Sequence, residues 1–321
     1  MARIIKRIVK GNIYYYLEES VKKDSKWIKE SIYLGGVVPK EKELEKIYLK
    51  FVNTLNSNGI LVLTPPFTEF ITRNLALKLE TATNNRDLFL KGLSPGKKAE
   101  FKQREKFTFI TDSNAIEGST LDYNETKHMV NEYEESIRKK YILTNINREE
   151  QEAINLDRCL REYEKYLSKG AEMNEKMILN LHGILLSKIE GYVQYRGIWR
   201  PVNVRIRGSN HVFPHHQEVP GLMKELLGWY NKNKNLIHHA ELAAKFHTKF
   251  TSIHPFADGN GRMARLLMNY VLQMNELPFT NIPLNKRSRY MKTQVAGNSN
   301  DHKPFVLFLA QEIIKQNRKL T

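Results

Sequence analysis

The sequence predicts a mainly α protein with a small β flap and a short β-rich N-terminal region. Three observations carry that expectation. From about Lys97 onward, segment after segment places apolar residues at three- and four-residue spacings, the signature of one-faced helices. The stretch RGIWRPVNVRIRGSNHVFP, Arg196 to Pro214, breaks that rhythm with Gly, Pro and short β-branched alternation, so it reads as a hairpin or flap. The first 36 residues alternate and are rich in Tyr and Ile, which is strand-like.

In chain order, IIKRIVKGNIYYYLEES and KWIKESIYLGG form two β-prone runs around a lysine-rich turn and predict a hairpin module over residues 1–38. Residues 39–95 read as a helical region and linker, with EKELEKIYLKFVNTL after Pro39 and TEFITRNLALKLETA after Pro65-Pro66. Residues 96–321 read as one helical domain. Its helices are KKAEFKQREKFTFITDSNAI, NREEQEAINLDRCLREYEKYL, NEKMILNLHGILLSKI, VPGLMKELLGWYNKN, LIHHAELAAKFHTKFTSI, RMARLLMNYVLQMNEL, KRSRYMKTQVAG and PFVLFLAQEIIKQN, with the flap at about 196–214. No internal repeat or low-complexity tail is present.

Composition excludes several classes. No window approaches the ~18 uninterrupted apolar residues of a membrane-spanning helix, and the basic N-terminus lacks an apolar run with a cleavage site. Cys159 is the only cysteine, so neither an intrachain disulfide nor a cysteine metal cluster can form, and a cytoplasmic location is expected. The formal net charge of +16 favours acidic partners, nucleic acid among them, or reflects a lysine-rich solvated surface.

HPFADGNGRMAR, His254 to Arg265, concentrates the chemistry. The helix before it carries Leu242, Phe246, Phe250 and Ile253 at helical spacing. The helix after it carries Met263, Leu266, Leu267, Tyr270, Val271 and Met274 on one apolar face. FADGNG is therefore a tight helix-to-helix loop. Gly259 and Gly261 allow close approach of a ligand, and the amides opening the next helix suit a phosphate. Arg262 and Arg265, three apart, suit a polyphosphate. Asp258 at the mouth is a candidate Mg²⁺ ligand, and His254 a candidate proton acceptor for an incoming hydroxyl. These parts predict phosphoryl or nucleotidyl transfer.

The stretch also resembles the Fic family motif, His-x-Phe-x-Asp/Glu-Gly-Asn-Gly-Arg-x-x-Arg, at every fixed position: His254, Phe256, Asp258, Gly259, Asn260, Gly261, Arg262 and Arg265. The resemblance implies a Fic-fold helical bundle that moves AMP from ATP to a Ser, Thr or Tyr hydroxyl of a target protein. It implies His254 as base, Phe256 as core anchor, Asp258 as Mg²⁺ ligand, and Asn260 with the glycine amides on the α-phosphate. Arg262 would meet the β-phosphate and Arg265 the γ-phosphate; Tyr290 is grouped with the nucleotide-binding residues. SNAIEG, Ser113 to Gly118, resembles the family's inhibitory pattern, Ser/Thr-x-x-x-Glu-Gly/Asn, at the end of a helix of about 101–118. It implies that Glu117 pairs with Arg265 within the same chain and displaces the γ-phosphate, a carboxylate being repelled by a triphosphate. The flap around Val204, Arg205 and Ile206 would pair with the target's backbone. The likeness covers roughly residues 95–316; the N-terminal hairpin resembles a module ahead of some Fic proteins and some transposases, and with Thr321 as the last residue no winged-helix domain is expected.

The implied partners are a protein substrate, with self-modification and a homodimer as further readings; nucleic acid stays open and no membrane is expected. Rival readings are removal of AMP, another donor (UTP, GTP or a phosphocholine carrier), and a nucleic-acid-binding or toxin-regulatory protein. GLSPGKK, Gly92 to Lys98, lacks the spacing and Ser/Thr of a phosphate-binding P-loop and reads as a linker. His211, His215 and His216 read as flap histidines rather than a metal site, His238-His239 as a helix start, and Cys159 as a small buried hydrophobe.

Overall fold

The computed structural model describes residues 3–23, 26–57, 68, 70–205 and 211–318. The N-terminal region is a three-stranded antiparallel sheet rather than the expected single hairpin, with β1 (Arg3–Val9), β2 (Asn12–Lys23) and β3 (Lys26–Gly35) in that order. The first β-prone run splits because Lys10 and Gly11 both take positive φ, 50° and 81°, the two-residue turn whose twist suits a hairpin. Ile8 then faces Ile13 and Val9 faces Asn12. Alternation directs Leu17 and Val21 to one face, where they meet Leu44, Tyr48, Phe51, Val52 and Leu55 of α1 (Glu41–Ser57). The Tyr48 hydroxyl donates to Glu19 at 2.9 Å, so the carboxylate on that buried face is paired.

The helical region of residues 39–95 therefore serves two cores. α1 completes the sheet's cluster, whereas α2 (Arg73–Gly92) contributes Ala76 and Leu79 to the larger helical one. Pro65-Pro66 lies outside the described residues. Gly92 to Lys98, read as a linker, is mostly helical: Gly92 ends α2 and Pro95 to Lys98 open α3 (Pro95–Glu117), with Ser94 as N-cap and only Leu93 and Ser94 between the helices.

α3 starts earlier than the pattern suggests and stops at Gly118. That residue takes φ 115°, and its amide with that of Ser119 returns to the carbonyls of Ala115 and Asn114. α4 (Tyr123–Lys139) was not expected; it opens on an Asp122/Glu125 capping box, but its composition is polar and its burial centres on Val130, so no apolar stripe announces it. α5 (Arg148–Ser168), α6 (Glu175–Leu185), α7 (Val219–Asn233), α8 (His239–Ile253), α9 (Asn260–Met274), α10 (Arg287–Asn298) and α11 (Lys303–Asn317) complete eleven α-helices among the described residues.

α9 is the central helix. The sequence predicts one apolar face, yet Met263, Ala264, Leu266, Leu267, Met268, Tyr270, Val271 and Leu272 are all fully buried, because α8, α5 and α3 lie against it. Its interior polar groups are tied in: the Asn269 amide donates to the Thr280 carbonyl at 3.0 Å and accepts from the Thr280 amide at 2.8 Å. Across the expected flap, no described residue is in a strand; Val204 and Arg205 are irregular, and Ile206 lies outside the described residues. Among the described residues no helix is long and apolar enough to cross a membrane.

Candidate active site

The loop between α8 and α9 is held from within. α8 ends on His254, which takes the left-handed conformation at φ 52° and ψ 61°, a strained choice for a residue with a side chain. Phe256 is fully buried and stacks on His182 with ring centres 3.5 Å apart. The Asn260 carboxamide clamps this turn: its Oδ1 accepts from the Phe256 amide at 2.9 Å and its Nδ2 donates to the Phe256 carbonyl at 2.8 Å. The Asn260 side chain is thereby committed to the loop, and its backbone N–H is among the amides at the start of the next helix. The Gly197 amide donates to Nδ1 of His182 at 3.2 Å, so Nε2 carries the proton and donates to the Asp258 carbonyl at 3.1 Å. Burial pushes the His182 pKa down to about 3, which keeps this strut neutral.

His254 stands half-buried at the rim. Its Nδ1 lies 3.4 Å from the Thr251 carbonyl, which can only accept, so Nδ1 holds the proton and Nε2 keeps its lone pair. Burial and, to a lesser degree, the Arg200 charge push its pKa down to about 4, against the raising effects of the Thr251 contact, Glu117 and Asp258. Arg200 is 1% exposed and joins the loop to the flap ends. Its Nε donates to the His254 carbonyl at 2.8 Å, Nη1 to Val202 at 3.0 Å and Nη2 to Pro214 at 2.5 Å, and its backbone amide donates to Pro255 at 2.9 Å.

α9 begins at Gly259, φ 79°, with no side-chain cap, leaving the first amides of the helix directed outward at its positive end. A side chain at Gly259 would lie 2.9 Å from Leu185 Cδ2, so the turn also needs glycine for space. A Cβ at Gly261 would overlap Glu117 Oε1; the inhibitory-pattern carboxylate therefore sits directly over the helix start. Glu117 accepts from Arg265 Nη2 at 2.8 Å. The same guanidinium donates Nε to Ser113 Oγ at 2.9 Å and Nη2 to the Ser113 carbonyl at 2.8 Å. Burial would raise the Glu117 pKa, but attraction to Arg265, its hydrogen bond, and the charges of Arg262 and His254 outweigh it, so the carboxyl titrates below its ordinary value. Tyr290 is buried beneath Arg265, its hydroxyl 3.5 Å from Nη1 and 3.0 Å from His247 Nε2. It supports the arginine from below.

Arg262 faces the opposite wall. Its Nη1 lies 3.2 Å from Glu152 in an ion pair without hydrogen-bond geometry, its Nη2 lies 3.6 Å from Asp258, and its buried Nε has no acceptor. Asp258 also accepts from Arg148 Nη2 at 3.1 Å and from the Gly259 amide at 2.6 Å. The sequence reading missed Arg148, Glu152, His182 and Arg200. Arg148 and Glu152 look like an ordinary i, i+4 pair opening a helix, and a histidine or arginine in a mixed segment carries no mark of its partner.

The set-aside residues fall elsewhere. The His215 and His216 rings lie 4.2 Å apart, tilted by 40°, beside Asn203, His238 caps α8 by accepting from the Ala240 amide at 3.1 Å, and Cys159 is buried with Sγ 3.2 Å from the Leu181 carbonyl, its pKa raised by burial. Among the described residues no group of three or more His, Cys, Asp or Glu side chains is placed to hold a metal alone.

Residues 172–272 match the Fic/DOC family model. The chain is 32% identical over 210 residues to Protein adenylyltransferase Fic of Drosophila grimshawi, covering 65% of this chain and 41% of that protein. It is 32% identical over 207 residues to Protein adenylyltransferase Fic of Nematostella vectensis, covering 64% and 46%. The chain thus spans less than half the length of these relatives. Fic-1 (aa134–508) of C. elegans superposes with a TM-score of 0.64 at 26% identity, over 76% of this chain and 70% of that one. The helical bundle is the Fic fold, and residues 172–272 are a Fic domain of the Fic/DOC family.

Proposed function

We propose that the chain is a protein adenylyltransferase that moves AMP from ATP to a Ser, Thr or Tyr hydroxyl of a protein, held in check by its own Glu117. One observation carries this reading. Around a helix start with free amides stand a histidine with a bare Nε2, a buried arginine with two nitrogens that make no hydrogen bond, and a second arginine engaged by a carboxylate. Such a set suits a triphosphate whose terminal position is already occupied by Glu117. The named relatives support the same activity.

In the reaction, His254 Nε2 takes the acceptor hydroxyl's proton, the hydroxyl oxygen bonds to the α-phosphorus, and the bond to the bridging oxygen breaks to release pyrophosphate. The amides of the α9 start hold the α-phosphate and Arg262 the β-phosphate. Arg265 meets the γ-phosphate once Glu117 leaves. The Arg262 donors without hydrogen bonds and the single Asp258 carboxylate fit a nucleotide-bound Mg²⁺, which needs one or two carboxylates and phosphate oxygens rather than a cage of side chains. Asp258 would hold that ion, which supplies charge neutralisation for the phosphates. Arg200 ties Val202 and Pro214, at the two ends of the flap, to His254, and Val204 and Arg205, just beyond Val202, are assigned to target docking.

The test is incubation of wild type and Glu117→Gly with Mg²⁺ and α-labelled ATP, reading label on the protein. Strong labelling of the variant with little on the wild type supports both transfer and lock. If neither is labelled although ATP binds, the donor or direction is wrong, and release of AMP from a modified protein becomes the reading to measure.

A further inference from the structure

Asp258 does not wait as a bare carboxylate. Arg148, the first residue of α5, reaches across to it with Nη2 at 3.1 Å while its Nε contacts Glu152 at 3.0 Å. Glu152 lies 3.2 Å from Arg262, and Arg262 lies 3.6 Å from Asp258. The four side chains close a ring of two cations and two carboxylates with no net charge. Its two cations are not equivalent. Arg262 is 2% exposed and locked beneath the loop, whereas the Arg148 side chain is 54% exposed and rests over the Tyr192 ring at 5.4 Å.

A divalent ion on Asp258 Oδ2 would stand in the place the Arg148 guanidinium now fills. Two like charges at one carboxylate oxygen repel strongly at contact distance, which favours departure of the more mobile one. Arg262 is buried under the loop, whereas Arg148 projects toward water from a helix end and has an aromatic face to lie against. We infer that Arg148 is the exchangeable cation of the site: it holds Asp258 when no metal is present and is displaced by the divalent ion, so that it sets how tightly the metal binds. This rests on the proposed role of Asp258 and adds a determinant that lies outside the HPFADGNGRMAR stretch.

The experiment is a Mn²⁺ titration of the full chain without nucleotide, following loss of the free-ion electron paramagnetic resonance signal. It compares wild type, Arg148→Ala, Arg148→Lys and Asp258→Asn, each checked for unchanged thermal unfolding. Arg148→Ala should tighten Mn²⁺ binding by about tenfold, because a competing charge is gone. Arg148→Lys, which keeps the charge, should stay within about twofold of wild type. Asp258→Asn should abolish binding. Equal affinity in Arg148→Ala and wild type, with Asp258→Asn still inactive toward Mn²⁺, overturns the exchange while leaving Asp258 as ligand. Binding that survives Asp258→Asn overturns both, and no binding in any form overturns the exchange in the nucleotide-free protein.

Discussion

Arg262 and Arg265 open the same helix three residues apart and are both almost fully buried, at 2% and 1% exposure, yet their surroundings are opposite. On the α3 side, Arg265 is saturated: Ser113 takes two of its donors, Glu117 shares one and Tyr290 stands beneath. On the α5 side, Arg262 faces carboxylates at ion-pair distance but leaves Nε and Nη1 without hydrogen bonds. A buried guanidinium is stable only when its donors are met, so the difference teaches what each half lacks. The α3 half carries its anion within the chain. The α5 half awaits one from outside.

The largest expected effect removes the group that both halves serve. In the Glu117→Gly background, His254→Ala should lower protein labelling by about 10²- to 10⁴-fold while labelled nucleotide still binds, since a positioned base contributes that much. Retained transfer would remove His254 from its role.

A second change breaks the comparison at its hinge. Gly261→Ala puts a methyl where Glu117 Oε1 lies, so the carboxylate must leave Arg265. The flexible end of Glu117 takes up the clash, so the expected cost in urea unfolding is that of the displaced ion pair, about 1 kcal/mol. In the Glu117→Gly background the same substitution should cost less, because the nearest clash is gone and only Arg265 Nη1, at 3.1 Å, stays close. If Gly261→Ala costs as much in that background as in wild type, Glu117 is not what occupies the helix start. Asn260→Ala tests the frame common to both halves. It leaves the buried Phe256 N–H and carbonyl unpaired and should cost about 2–3 kcal/mol by the same measurement.

What the sequence made legible follows from the range of the interactions. The helices whose apolar residues recur on one face, and the loop whose residues are consecutive, were readable because their causes are local. Ser113 and Glu117 were readable as a pattern, and the structure brings them to Arg265 across 152 and 148 positions of chain. Arg200 and Arg148 were not, because each acts through partners 54 and 110 residues away that no spacing encodes. The third strand was hidden by a turn of only two residues, and α4 by a polar composition that buries little. Asn260 joins the α-phosphate residues through the resemblance alone; that its carboxamide ties the loop to Phe256, four residues earlier, is a contact no motif spacing encodes.

The smallest expected effect is a flat line, and it separates His254 from an ordinary histidine. With a pKa near 4 rather than its usual 6.5, the imidazole is neutral throughout the neutral range and Nε2 is available as a base. Glu117 is among the groups that raise this pKa, so its removal moves the value further down and cannot create a titration near neutrality. Transfer by Glu117→Gly should therefore change little between about pH 6 and about pH 8, where a histidine of ordinary pKa would gain about fourfold in its basic form. Stability tells the same story with the opposite visibility. His254 and His182 take up protons less readily folded than unfolded, so both stabilise the fold fully above pH 6.5 and lose that contribution as pH falls toward 4 and 3. The thermal midpoint should hold steady above about pH 7 and decline through that acid window. A fourfold rise in transfer across neutrality would instead show an imidazole in ordinary contact with water, and burial would not be what sets its proton affinity.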